Sequence, residues 1–501
     1  MTSSTAELFD VIVVGGGPGG STAASLVAMQ GHRVLLLEKE AFPRYQIGES
    51  LLPATVHGIC GLLGVSSELH KAGFLKKYGG TFRWGSDPEP WSFPFAFSPR
   101  MARSTFAYQV ERMKFDDILL KHSSKVGVEV REECSVVQVI EDEERVRGVV
   151  YTDAAGEQHT AEARFVVDAS GNKSRIHKSV GGTRTYSEFF QNIALFGYFT
   201  GGERLPEPKS GNIFCEAFDE GWFWYIPLSD DLTSVGVVVN RDFADQLQGD
   251  QEEALLRFIE RAPRIRKMLA SANRVTEGPY GQIRVRKDYS YLNNRFWRDG
   301  MVLVGDSACF VDPVFSSGVH LATYSAMLAA RSINSVLAGL VGEERSFGEF
   351  EARYRREYGL FYEFLMSFYD MNADDQSYYW QARKVTNCAD SELAAFVELV
   401  GGVSSYDSTL VDVDSARARL ASTATAFGES MAGEDRPEDT GTSAFHQSAF
   451  VGAVLSEGVS VATRVMTGHT WSEEAPLFEG GLVPSADGMK WMEPAVPPQT
   501  S

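Results

Sequence analysis

Cysteine is scarce in this chain and widely scattered. The five cysteines, at 60, 134, 215, 309 and 388, share no C-x-x-C spacing. That excludes a disulfide framework or a thiolate zinc site and fits a reducing compartment; no metal is expected. Long apolar runs are missing too: no stretch reaches the ~18 residues of a membrane-spanning helix. The opening MTSSTAELFD has no basic n-region and no apolar h-region, so no secretory signal is read and a cytoplasmic location is expected. Positive charge is in deficit, with 47 Lys and Arg against 67 Asp and Glu and a net charge of −20. This argues against nucleic acid or an anionic membrane as the main partner. The densest basic cluster, Arg261, Arg264, Arg266 and Lys267, reads as a solvated helix face. There are no internal repeats. At 501 residues and 44% hydrophobic content, the chain can build two or three domains around a large core.

The most informative stretch runs from Asp10 to Glu38. Val11 to Val14 form an apolar β-branched run suited to a strand buried on both faces. Gly15, Gly17 and Gly20, with Pro18 between them, make G-x-G-x-x-G. Such glycines allow a tight turn, a backbone pressed against pyrophosphate, and close helix–strand packing. The helix that opens there offers unpaired N–H groups and a positive dipole end. Gly31 closes it, Arg33 to Leu37 form the next strand, and Glu38 follows Gly20 by 18 residues, close to where a ribose-binding carboxylate belongs. The pattern predicts a dinucleotide site.

Further along, Arg44 is placed to reach a phosphate, and Gly48-Glu49-Ser50 to bring backbone near a planar ring. Phe74 to Gly85 reads as Lys76 and Lys77 at the mouth of a strand entered by a Gly79-Gly80 turn. Residues 87–101, with four prolines and four aromatics, read as a loop over a site. Residues 106–130 read as a helix bracketed by strands, and 163–171 as a buried strand ending in Asp168-Ala169-Ser170-Gly171. A small-residue turn at the carboxyl end of such a strand is a ligand position in open α/β sheets. Alternation over 190–240 predicts an antiparallel sheet, within which Trp222 and Trp224 share a face. Residues 251–269 read as one helix. Met301 to Ile333 runs strand, Gly305-Asp306, loop, then a helix opening at Ser316-Ser317-Gly318, a second anion-suited N-terminus. Asp306 is placed to hold a ribitol or ribose hydroxyl. His320 reads as a packing histidine. From Phe350 to Phe368 an aromatic stripe at helical spacing reads as core. Residues 391–400 and 415–427 read as helical, 428–441 as an acidic loop, and the tail after Gly480 as aperiodic.

These motifs resemble those of the flavin-dependent halogenases, a branch of the FAD monooxygenases related to p-hydroxybenzoate hydroxylase. The wider flavoprotein resemblance covers roughly residues 8 to 335. It rests on GGGPGG at 15–20, the Gln109 and Arg112 stretch, DASG at 168–171 and GD at 305–306. Three narrower motifs separate halogenases from hydroxylases. W-x-W-x-I-P is present as Trp222, Trp224, Ile226 and Pro227; F-x-x-P-x-x-S-x-G as Phe310, Pro313, Ser316 and Gly318; F-x-x-K-x-G as Phe74, Lys77 and Gly79. The similarity leans toward halogenases of phenolic, pyrrolic or carrier-tethered substrates. Tryptophan halogenases carry a glutamate just before the second motif's serine, where this chain has Phe315.

The resemblance implies an α/β fold: a Rossmann-like FAD domain of p-hydroxybenzoate hydroxylase type, an antiparallel substrate sheet and a mainly helical C-terminal region. The implied core spans 1–340, with FAD segments at about 8–85, 106–180 and 275–340 and the sheet at about 181–274; 341–501 is the substrate-related region. It also implies FAD used as FADH2, O2, and chloride or bromide. A flavin hydroperoxide is attacked by halide held near the Ser317 and Gly318 amides. Hypohalous acid then reaches Lys77, or the adjacent Lys76, for electrophilic halogenation of an aromatic ring in natural-product biosynthesis. By their bulk, Trp222 and Trp224 are expected to wall the flavin from the substrate. No NAD(P)H module is visible, so a separate NAD(P)H-dependent flavin reductase is expected. The aromatic substrate is either free or tethered to an acyl or peptidyl carrier protein. An FAD-dependent aromatic hydroxylase, a flavin-dependent isoprenoid reductase and a non-enzymatic flavoprotein remain as alternatives.

Overall fold

A computed structural model describes residues 7–84, 89–98, 105–287, 289–370, 392–405, 407, 410, 476–478 and 480–494. The strand Glu7–Val14 lies inside a sheet between parallel neighbours Val34–Leu37 and Gln158–Asp168. Glu129–Arg131 and Met301–Leu303 extend the sheet in parallel on either side. Val11, Ile12, Val13, Leu35 and Leu36 are fully buried, as expected for parallel strands covered on both faces. The helix Pro18–Ala28 is buried along its whole length and packs against the long helix Ser317–Leu337. Register does the functional work here. Val14 is level with Leu37 and Asp168, and Asp168 with Leu303. Gly15, Glu38, Ala169 and Gly305 therefore leave the sheet along one edge, where ligands bind in open α/β folds.

The second sheet runs in the order Asn273–Arg274, Asn192–Thr200, Thr233–Asn240, Gly221–Pro227, Ile213–Phe218, Gly79–Arg83, Trp91–Pro94, with Arg284–Lys287 also on Asn192–Thr200. Its pairings are antiparallel except that of Ile213–Phe218 with Gly79–Arg83, which is parallel. Alternation sends Trp222, Trp224 and Ile226 into the main core and Phe223 and Tyr225 into a second one. The second core is closed by two helices, Gln251–Ile259 and Pro263–Met268. The single helix expected over 251–269 is interrupted because Pro263 cannot continue a helix but can start one.

Two local expectations are corrected. Gly79 and Gly80 form no turn; they belong to the strand Gly79–Arg83, while Leu75–Lys77 is a separate strand paired with Ala107–Gln109. A Cβ on Gly79 would stand 1.8 Å from the Phe93 carbonyl oxygen, so glycine here allows close strand approach. Within 87–101, expected to be a loop, Trp91–Pro94 is a strand followed by a helical turn, Phe95–Phe97.

The aromatic stripe of the helix Glu343–Asp370 is buried at Phe350, Tyr354, Phe361, Leu365 and Phe368. His320 meets Glu357 at 3.0 Å, both fully buried, and ties the two long helices together. The helix Glu392–Gly401 appears as expected; residues 415–427 and 428–441 lie outside the described residues. The tail is not loose after Gly480. Val483–Pro484 and Trp491–Met492 pair as a hairpin. Trp491 is buried beneath the Arg331 and Arg353 guanidiniums at 4.6 and 4.9 Å, its indole N–H donating to Ser332. Trp491→Ala is expected to cost ~3–5 kcal/mol, read as a lower midpoint of denaturant unfolding.

Candidate active site: a cofactor edge and a buried lysine

Two of the three motif glycines are packed and the third is open. Gly15 has φ +103, and a Cβ on Gly20 would stand 1.8 Å from the Gly15 carbonyl oxygen. At Gly17 the nearest atom to an added Cβ is Arg44 Nη2, at 3.4 Å. The turn thus leaves a space faced by a guanidinium at the start of a helix headed by Pro18, which suits a pyrophosphate. Glu38 is buried there, accepting from the Gly16 N–H at 2.6 Å and the Glu40 N–H at 2.9 Å. Each of its oxygens keeps a lone pair for a ribose hydroxyl. On the same edge, burial pushes the Asp306 carboxyl up to about 6, against the opposing pull of Arg112 and Arg184. The residues present fit an FAD.

Other expected cofactor residues shape the seat. Asp168 is buried and accepts from the Ser170 and Ser174 hydroxyls, holding the turn; burial raises its carboxyl. Arg112 is paired with Asp116 at 2.7 Å and donates to the Ile47 carbonyl at 2.6 Å. Asp116 also takes Arg44, at 2.7 Å. Gln109 donates to the Gly211 carbonyl at 3.0 Å, and its strand bridges to Ser50. Arg112 and Gln109 thereby fix the Gly48-Glu49-Ser50 stretch, where Gly48 has φ +100.

The short strand Leu75–Lys77 separates the two lysines. Lys76 is exposed, its ammonium 4.6 Å from the Phe106 ring. Lys77 is 3% exposed and donates to Ser50 Oγ at 2.9 Å and the Leu51 carbonyl at 3.3 Å. Burial lowers its amine to about 7. Lys77 lines a small cavity, with room for about one water molecule, whose wall includes Phe82, Phe93, Phe95, Phe315 and Ser316. Ser316 has φ +62 and precedes the helix Ser317–Leu337. Ser317 Oγ is buried with no hydrogen-bond partner among the described residues. A Cβ on Gly318 would meet the Phe310 ring at 2.8 Å, so this glycine seats Phe310, while Pro313 lies in the preceding loop. The lysine and the helix N-terminus, 239 residues apart in sequence at Lys77 and Ser316, meet across one cavity.

Trp222 and Trp224 stand side by side, ring centres 6.2 Å apart, outside the lining of that cavity. Trp222 donates to the Tyr369 hydroxyl at 2.6 Å, and Tyr369 donates to Asp312 at 3.0 Å. Trp224 donates to Ser234 at 3.1 Å. The sequence reading missed Phe93 and Phe95 as cavity walls; their i, i+2 spacing was a signal, hidden by the flanking prolines. It also missed Asp312 and Tyr369, which no motif singles out.

The tryptophan halogenase family model matches residues 10–104 and 97–459. A tryptophan 2-halogenase of Chondromyces crocatus is 36% identical, covering 77% of this chain and 72% of its own. The 1H-pyrrole-2-carbonyl-[peptidyl-carrier protein] chlorinase of Pseudomonas fluorescens is 32% identical over 73% of this chain and 84% of its own. Among solved structures, the myxobacterial chondrochloren halogenase CndH, described as a variant of the FAD-dependent halogenases, is 54% identical. It covers 97% of this chain and 100% of its own, with a TM-score of 0.74. The chain belongs to the flavin-dependent halogenases, FAD-dependent oxidoreductases that use a halide and O2.

Proposed function

We propose that this halogenase places an electrophilic halogen on an electron-rich phenolic or pyrrolic ring, with Lys77 as the residue that delivers it. The observation carrying this reading is the meeting of Lys77 and Ser316 across one small aromatic-lined cavity. Bound FAD, in its reduced form, would supply the two electrons that bring O2 to the peroxide level, the oxidant that takes halide to hypohalous acid. The protein's own residues do the rest. The Ser317 and Gly318 amides at the helix N-terminus hold a halide without a permanent positive side chain. Ser50 Oγ and the Leu51 carbonyl aim Nζ of Lys77. An amine lowered to about 7 is partly neutral at physiological pH, so it serves either as a nucleophile forming a chloramine or as a hydrogen-bond donor to hypohalous acid. The phenylalanine walls keep water from the reactive species and offer few oxidisable groups.

A phenolic or pyrrolic substrate is favoured over tryptophan by Phe315, whose ring packs 4.6 Å from Phe368 and 5.2 Å from Phe364, centre to centre. No carboxylate stands there. The pyrrole chlorinase is named for a carrier-bound substrate, so a tethered acyl group and a free phenol are both within this reading. Mass spectrometry of products from free and carrier-loaded aromatic acids, with FAD, a flavin reductase and halide, tests it; halogenation of tryptophan alone would sink it. Reduced flavin comes from a separate NAD(P)H-dependent reductase, a point that rapid NAD(P)H oxidation by the purified protein alone would refute.

The paired indoles act as a wall between flavin and ring substrate. Trp222→Ala is expected to divert oxidant into hydrogen peroxide or hydroxylated product, raising the peroxide-to-halide-product ratio several-fold in a coupled assay. Normal coupling in both Trp222→Ala and Trp224→Ala would remove this role.

A further inference from the structure

The halogenation stoichiometry makes a demand that the residues above do not meet. Writing X− for halide, FADH2 + O2 + X− + H+ gives FAD + HOX + H2O. The O–O bond breaks, one oxygen leaves with the halogen and the other as water; flavin and halide each give two electrons. Exchange of a ring hydrogen for the halogen then returns water, ArH + HOX giving ArX + H2O. One proton is therefore drawn from solvent in each turnover, into a site built to exclude solvent.

Glu49 is 2% exposed, beside the Ser50 that receives Lys77. Its Oε1 accepts from the Tyr198 hydroxyl at 2.7 Å, and that hydroxyl stands 2.7 Å from the Tyr45 hydroxyl. Because Tyr198 donates to Glu49, Tyr45 donates to Tyr198. Tyr45 is only half-buried, edge-on to Tyr280 and under the Arg284 guanidinium at 3.7 Å. Glu49 Oε2 is buried and makes no hydrogen bond within 3.5 Å among the described residues, with the Ser234 hydroxyl the further polar group that acts on the carboxyl. Gly48, one residue before, approaches Val319 in the first turn of the helix that begins at Ser317.

We propose that Tyr45, Tyr198 and Glu49 form the path by which this proton enters the halogenation site. A proton passes by successive transfer: neutral Glu49 releases the proton on Oε2, Tyr198 re-protonates the carboxylate at Oε1, Tyr45 re-protonates Tyr198 and water refills Tyr45. Rotation of the carboxyl then carries the new proton to the Oε2 position. No electron moves along the chain and no covalent bond other than O–H changes. Desolvation raises the Glu49 carboxyl to about 7, opposed by the Tyr198 and Ser234 hydroxyls and the Arg112 charge and aided by Glu111. On the Tyr45 side, Arg284 and Arg286 are the charges that face the path. A group poised near neutrality both takes and yields a proton with little penalty. The Arg112 fork, engaged by Asp116, does not pin Glu49 in its ionised form.

The test uses Glu49→Gln, Tyr198→Phe and Tyr45→Phe in the full chain. Without cofactor, infrared spectroscopy across pH is expected to show a protonated carboxyl band titrating near 7, absent in Glu49→Gln and displaced in Tyr198→Phe. With FADH2, O2 and bromide, the single-turnover rate of the wild type is expected to fall as pH rises through about 7. Both tyrosine variants are expected to bind FAD normally and run ~10- to 100-fold slower, with an altered solvent isotope effect. Wild-type rates in both, or a carboxyl that stays ionised from about pH 5 to 9, would overturn the proposal. So would loss of FAD binding with an unchanged pH profile, which would assign the three residues to the cofactor seat. If Glu49→Gln does not fold, the two tyrosine variants still decide.

Discussion

Lys77→Met is expected to remove halogenation by ~10²–10⁴-fold while FAD binding is kept. Lys76→Met is expected to run near the wild-type rate. The two lysines are neighbours with opposite surroundings: one points to solvent, the other into a cavity with Ser316 on its wall. Product yield per FADH2 oxidised, with FAD content measured separately, reads the difference. Activity in Lys77→Met together with its loss in Lys76→Met would reverse the assignment. The same substitution has a second, opposite consequence. The native amine titrates at about 7, below its ordinary value of 10.5. Between those values the unfolded chain binds a proton that the native chain does not, so Lys77 makes stability rise with pH across that window. Below it, the full burial penalty of the ammonium is present. Lys77→Met is therefore expected to stabilise the fold by ~1–2 kcal/mol at pH 6, with the gain fading toward pH 10. Denaturant midpoints at pH 6 and pH 10 check the sign. An unchanged or lowered midpoint at pH 6 would show that the ammonium is better solvated than its burial implies.

Gly20→Ala is the other substitution with a large expected effect. Its new Cβ would stand 1.8 Å from the Gly15 carbonyl oxygen and 3.3 Å from the Ala169 side chain. The first is backbone, so no rotamer relieves the contact. The turn must open, at a cost of ~1–3 kcal/mol, and the amides that face the pyrophosphate turn with it. FAD affinity is expected to fall at least ~100-fold, equivalent to ~2.7 kcal/mol. Gly61→Ala is the control: nothing lies within 4 Å of its added Cβ and its helical position favours alanine, so affinity is expected to hold and stability to rise slightly. Flavin fluorescence titration of both variants decides. Full FAD affinity in Gly20→Ala would show that the close helix–strand approach is not needed.

Legibility in the sequence tracked the range of the interactions. The strand, glycine turn and acid of Asp10 to Glu38 are defined by neighbours in sequence, and the structure reproduces them almost residue for residue. The same holds for the strand ending at Asp168 and for the helix opening at Ser317, since each is marked by an apolar run meeting small residues. The motif favoured Lys77 over Lys76, but the local sequence did not set which of them is buried, because one residue of register reverses the face of a strand. Only pairing with Ala107–Gln109 sets that register. The segment Trp91–Pro94 read as loop because proline disfavours a central strand; it is tolerated because this is the end strand of its sheet. Trp491 was overlooked because a tail without period gives no local sign that a core lies ready to receive it.

The sequence by itself determined the family, the cofactor and the edge of the sheet that holds it, since these depend on motifs whose spacing encodes their own geometry. Tertiary structure alone decided which lysine is buried beside Ser316, which rings enclose the cavity and what Glu49 is bonded to. Burial and hydrogen-bond partners come from distant segments: Ser50 lies 27 residues from Lys77, Tyr369 147 from Trp222 and Tyr198 149 from Glu49. Desolvation sets an amine at about 7 rather than 10.5, and it exists only once those segments have met.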